Sequence, residues 1–258
     1  MRAAVHAEWT KVRTVAGPRW LLLGAIAATV ALSTAVVSVM TCDAAGCGHD
    51  ATRLSLTGVQ FGQALVVILA VQVMSGEHGT GMIRATLAAT PRRTTALAAK
   101  AVTLTGVVAA VGTVAVLGSL LAGRLILPGR GFTAAHGYPI LSPADGPTLR
   151  ATVGSILYLV LIALLSLGVA TVVRDSATST GVVLGLLYLV PVLAPVIHDP
   201  HWQRLLHRLG PMSAGLAVQA TTDLRDLPIG PWTGLGVLAG WAGAALLAGA
   251  LLLRRRDA

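Results

Sequence analysis

Six stretches of this chain are apolar for long enough to cross a hydrocarbon layer, and no other property restricts its fold as much. A helical crossing takes about 20 residues. The stretches lie at residues 18–41, 55–74, 96–123, 151–173, 178–197 and 232–253. In lipid an isolated apolar segment satisfies its own backbone N–H and C=O groups only by forming a helix. Strand-like alternation is missing from all six, so a barrel is not expected. The sequence therefore predicts an all-α polytopic membrane protein with six transmembrane helices. Composition agrees: 55% of the 258 residues are hydrophobic and 11% are charged, where soluble domains carry about 25% charged residues. The first stretch is too long for the core of a signal peptide and no small-residue cleavage site follows it, so no cleavage is expected.

Six crossings put both termini on one side. Basic residues outnumber acidic ones 19 to 10. With the termini inside, twelve of the basic residues fall on the inner side, Arg2, Lys11, Arg13 and Arg254 among them, and seven, such as Arg53, Arg124 and Arg150, on the outer side. That bias is the usual mark of cytoplasmic loops. The basic excess is thus an orientation signal, and nucleic acid is not expected as a partner.

Residues 1–17 read as a separate element. Val5, Trp9, Val12 and Ala16 share one helical stripe, flanked by Arg2, His6, Lys11 and Arg13, a pattern suited to a helix lying in the inner interface. Residues 18–258 form a single transmembrane domain. Cys42 and Cys47, the two cysteines, lie in the first outer loop. A disulfide is the expectation there, and a metal site with His49 and Asp50 the weakest alternative. In the last outer loop Trp202, Leu205, Leu206 and Leu209 fall at helical spacing, which predicts an amphipathic helix at the outer interface.

Inside the spans ionisable groups are scarce. Lys100 sits a turn within the third and is expected to snorkel to the inner face. Gln60 and Gln63 share a face of the second, for helix contact or a polar path. Gly236 and Gly240 in the sixth permit close helix contact, and Pro191 and Pro195 should interrupt the fifth. No cluster suits intramembrane hydrolysis, so the chain is not expected to be an enzyme by itself. The glycine-rich GEHGTGMIR at 76–84 lacks the lysine and the preceding strand of a phosphate loop, and no nucleotide or other cofactor is expected on this chain.

GVQFGQ at 58–63 and GEHGTGMIRATLAATPRRTTALAAKA at 76–101, with EWTKVRTVAGPRWLLL at 8–23, RDSATST at 174–180, GPMSAGLAVQA at 210–220 and LLLRRRDA at 251–258, together resemble the membrane (permease) subunits of type-2 ABC transporters, of the short six-span actinobacterial kind. The likeness runs nearly end to end. Glu77, Gly81, Ile83, Arg84, Pro91, Arg92 and Arg93 match the family's loop after the second helix, and Met82 stands where relatives usually have threonine. The resemblance implies a short cytoplasmic coupling helix between spans two and three, which would offer Met82, Ile83, Arg84 and Leu87 to an ATP-binding subunit and end at Pro91. It also implies two such subunits carrying ATP and Mg, a second permease copy or sister chain, a bacterial plasma membrane, and export. Two alternatives stand beside it: an ATP-independent carrier or channel, which should show buried charge or an internal repeat, and an ABC-type subunit used in sensing or resistance.

Overall fold

The computed structural model describes residues 2–42, 47–79, 93–138, 141–142 and 144–255. Among these residues no strand occurs. The helices are α1 (Arg2–Thr14), α2 (Ala16–Val39), α3 (Ala51–Ser55), α4 (Val59–Gly79), α5 (Arg93–Ile126), α6 (Gly146–Val173), α7 (Ser176–Leu193), α8 (Pro200–Leu209), α9 (Pro211–Leu216) and α10 (Pro231–Arg255), with short 3₁₀ turns between some of them. Five, namely α2, α5, α6, α7 and α10, are long and apolar enough to cross a membrane. The chain is an all-α, multi-pass membrane protein. The second expected span is the exception, because the apolar stretch Val59–Ser75 within α4 falls among the shorter helices of 10–17 residues. The expected coupling helix, with Gly81, Met82, Ile83, Arg84, Leu87, Pro91 and Arg92, lies outside the described residues.

Helix α6 forms the centre and packs against α4, α5, α7 and α10. Of its most apolar window 61% is buried, against 17% for α7 and 22% for α2 and α10. Large apolar side chains such as Trp20, Val39, Leu125 and Leu247 cover the outside, as a surface facing lipid requires. Lipid tails give helices no apolar reason to associate, so the bundle depends on close approach at small residues and on polar contacts.

Gly58 shows how close that approach is. A Cβ there would stand 1.9 Å from the Thr29 carbonyl oxygen of α2, and the Gly58 N–H donates to Ser33 Oγ at 3.0 Å. This contact explains a departure from the expected 55–74 helix. Asp50 caps α3 by accepting from the Arg53 N–H at 3.0 Å. The chain then turns past Gly58 against α2, and α4 starts only at Val59. The paired prolines of the fifth span act as expected of them in part: Pro191 remains inside α7, and Pro195 sits in the 3₁₀ turn Ala194–Val196 that ends it.

Between α6 and α7 the chain reverses at Arg174, whose φ is 67°. Asp175 then caps α7, with its Oδ2 accepting from the Thr178 N–H at 2.7 Å. That backbone bond, helped by the Thr178 side chain, holds the Asp175 carboxyl below its ordinary value of 3.8. A depressed folded value means the cap stabilises at neutral pH and fades as pH falls through it. Asp175→Ala should therefore lower the melting temperature at pH 7, and the gap to the parent should close in acid. Melting curves of both proteins across that range check this; a gap that ignores pH contradicts it.

Candidate functional site

Two polar centres lie towards opposite ends of the bundle. The first joins α4, α6, α7 and the chain after α8. Gln63 is fully buried. Its Oε1 accepts from the Tyr158 hydroxyl of α6, and its Nε2 donates to the Gln60 carbonyl at 2.9 Å and to Met212 Sδ at 3.3 Å. The Tyr188 hydroxyl of α7 donates to the same Gln60 carbonyl at 2.6 Å. The two glutamines thus differ in role: Gln63 works through its side chain and Gln60 through its backbone. An amide or phenol in an apolar bundle is costly unless bonded, and each group here has a partner. The sequence reading missed Tyr158 and Tyr188. The signal was present, since a tyrosine deep in an apolar run needs a partner for its hydroxyl.

Gln63→Leu removes the acceptor and leaves the Tyr158 hydroxyl buried without one, which should cost about 1–3 kcal/mol. Adding Tyr158→Phe should recover part of the loss. A double-mutant cycle of melting temperatures measures the coupling, and additive losses would show that the two side chains do not interact.

Met212 reaches this centre because the last outer loop does not stay outside. Helix α8 forms where the amphipathic pattern predicts, with Trp202 and Leu209 exposed. The following segment, Gly210 to Ala220, is expected as loop and instead turns into the bundle. Pro211, Met212, Ala214, Gly215, Val218 and Gln219 are buried, and Gln219 Nε2 donates to Ser155 Oγ of α6 at 3.0 Å. Gly234 of α10 admits the segment, since a Cβ there would lie 2.0 Å from the Ala214 carbonyl oxygen. The expected contact at Gly236 and Gly240 is not made among the described residues, where a Cβ at either would meet nothing within 4 Å.

The end of the segment is clamped. Asp50 accepts from Thr221 Oγ1 at 2.7 Å and from the N–H groups of Thr221 and Thr222. Arg150 donates to the Ala220 carbonyl at 2.6 Å. Beside the clamp Cys42 and Cys47 are joined as a disulfide with a Cα–Cα distance of 5.8 Å. The Cys42 N–H donates to the Arg130 carbonyl at 2.9 Å, and the His49 N–H to the Tyr138 hydroxyl at 3.3 Å. Asp50 is therefore a fastening group, and among the described residues no group of three or more His, Cys, Asp or Glu is placed to hold a metal.

The second centre lies where α1 crosses α5. Lys100 Nζ sits 3.1 Å from Glu8 Oε2 and donates to the Val73 carbonyl of α4 at 3.2 Å. Lys11 Nζ lies 2.8 Å from Glu8 Oε1. Lys100 does not snorkel; it is 2% exposed. The expected apolar stripe of α1 is also revised. Val5 and Val12 are partly covered, Trp9 and Ala16 are exposed, and the buried position is Glu8. The physical reason is pairing, since a buried ammonium costs several kcal/mol unless a counter-charge meets it. Glu77 falls in the last turn of α4 and Arg93 opens α5; their side chains, with residues 80–92, lie outside the described part of the structure.

The first centre is built of amides, phenols, hydroxyls and a thioether, which accept and donate hydrogen bonds but do not make an activated nucleophile with its base. Such an arrangement can hold a bundle shut or line a polar passage. Compared with models of known protein families the chain matches none, and no curated protein matches it either.

Proposed function

We propose that the chain is the permease subunit of an ATP-driven transporter of the type-2 ABC kind, working as an exporter with a separate ATP-binding subunit. The observation that carries this reading is the connection between α4 and α5. Residues 80–92 follow one apolar helix, precede another, and are too few to cross a membrane. In the sequence Met82, Ile83 and Leu87 stand close to Arg84 and Arg92, and apolar residues with basic neighbours beside an apolar helix suit a protein partner. In this reading α4, 21 residues long and so about 30 Å, crosses as the second span and brings the total to six. Both termini and residues 80–92 face the cytoplasm of a bacterial cell, and two permease chains join two ATP-binding subunits that hold ATP and Mg. The Gln63–Tyr158 centre lies along the passage. Closure of the ATP-binding pair biases the spans only as far as its affinity differs between their two arrangements.

One observation favours a second reading. The buried pair Glu8–Lys100 is the kind of intramembrane charge that carriers and channels use without ATP. Co-expression with an ATP-binding subunit encoded beside this chain separates the two. The expected result is a stable complex in which the permease raises ATP hydrolysis. A chain that purifies alone and moves cargo along an ion gradient in vesicles without ATP overturns the first reading and supports the second.

A further inference from the structure

Glu8 is the one buried residue of α1, so charge rather than apolar packing holds this helix on the bundle. Its partner touches three elements at once, since the Lys100 ammonium sits on α5, meets Glu8 of α1 and donates to Val73 of α4. The space beside the pair is walled by apolar side chains such as Val12, Leu69, Leu104 and Val107. The Lys100 and Glu8 side chains are 2% and 10% exposed, so solvent does little for either charge.

We propose that this pair is a strap fastening α1 across the base of α4 and α5. The strap opens when either charge is removed. An ordinary packed helix behaves differently, because shape alone would hold it. For a buried pair, loss of one member is disruptive, whereas replacing both by apolar residues of similar size is tolerated.

The test follows the covered face of α1 in the full chain, in lipid nanodiscs, using Val5→Cys and a water-soluble maleimide. Cys42 and Cys47 are bonded to each other and stay silent. Glu8→Gln or Lys100→Met should speed labelling at least about tenfold, the ratio that a loss of about 1.4 kcal/mol gives. Glu8→Met with Lys100→Met should return it close to the parent rate. Single variants that label at the parent rate, or a double variant as fast as the singles, overturn the strap. Labelling needs neither nucleotide nor cargo, so the outcome is separable from that of the transport reading.

Discussion

Gly234→Ala should unseat the buried segment at 210–220 and cost about 3 kcal/mol, while Gly236→Ala, two residues further along α10, should leave the protein unharmed or slightly more stable. The two substitutions add the same methyl group to the same helix. At Gly234 that methyl would stand 2.0 Å from the Ala214 carbonyl oxygen and 2.9 Å from its carbon. Both are backbone atoms, so no side-chain rotation relieves the clash. At Gly236 it meets nothing within 4 Å, and exchanging glycine for alanine inside a helix is worth about 0.5–1 kcal/mol in its own right. The prediction is thus a difference in sign. Melting temperatures of the two variants check it, together with protease sensitivity between residues 221 and 230. Equal effects at the two positions would mean that α10 does not admit the segment at Gly234.

The same contrast shows what the sequence made legible and what it concealed. Apolar length is a local property, so α2, α5, α6, α7 and α10 follow from counting residues, and the α8 pattern follows from near neighbours. The contacts that build the two polar centres are not local. Tyr158 and Gln63 lie 95 residues apart, Lys100 and Glu8 lie 92 apart, and Thr221 and Asp50 lie 171 apart. Lysine near the end of a span snorkels when nothing meets it in place, and nothing near Lys100 in the chain announces Glu8. The segment GPMSAGLAVQA at 210–220 is too short for a crossing and opens with helix-breaking residues, so it has the composition of a loop. Its burial is decided by the gap that Gly234 leaves in another helix. Gly236 and Gly240 stay open among the described residues, whereas Gly58 and Gly62, at the same spacing, pack closely against Thr29 of α2.

On the transport reading proposed above, Met82→Asp together with Arg84→Asp should abolish the stimulation of ATP hydrolysis while leaving the chain folded and inserted. The first change puts a carboxylate into the apolar patch, and the second reverses a charge expected at its rim. Neither residue belongs to the apolar stretches of the sequence, so the bundle around Gln63 and Tyr158 is expected to keep its packing. A docked apolar contact that must take up an unpaired carboxylate loses several kcal/mol, enough to empty the interface at working concentrations. Loss of binding at this connection, rather than loss of the bundle, is what separates a coupling element from an ordinary turn that obeys the positive-inside bias.

The measurement that bears most directly on the transport reading is the rate of ATP hydrolysis and of cargo movement by the reconstituted complex, with the parent permease and with the Met82→Asp/Arg84→Asp variant side by side. The expected result is full activity with the parent and, with the variant, hydrolysis at the unstimulated rate of the ATP-binding subunit and no transport. Full coupled transport by the variant would show that the connection between α4 and α5 does not carry the coupling, and transport by the parent without any ATP-binding subunit would show that the chain is not the ATP-driven permease proposed.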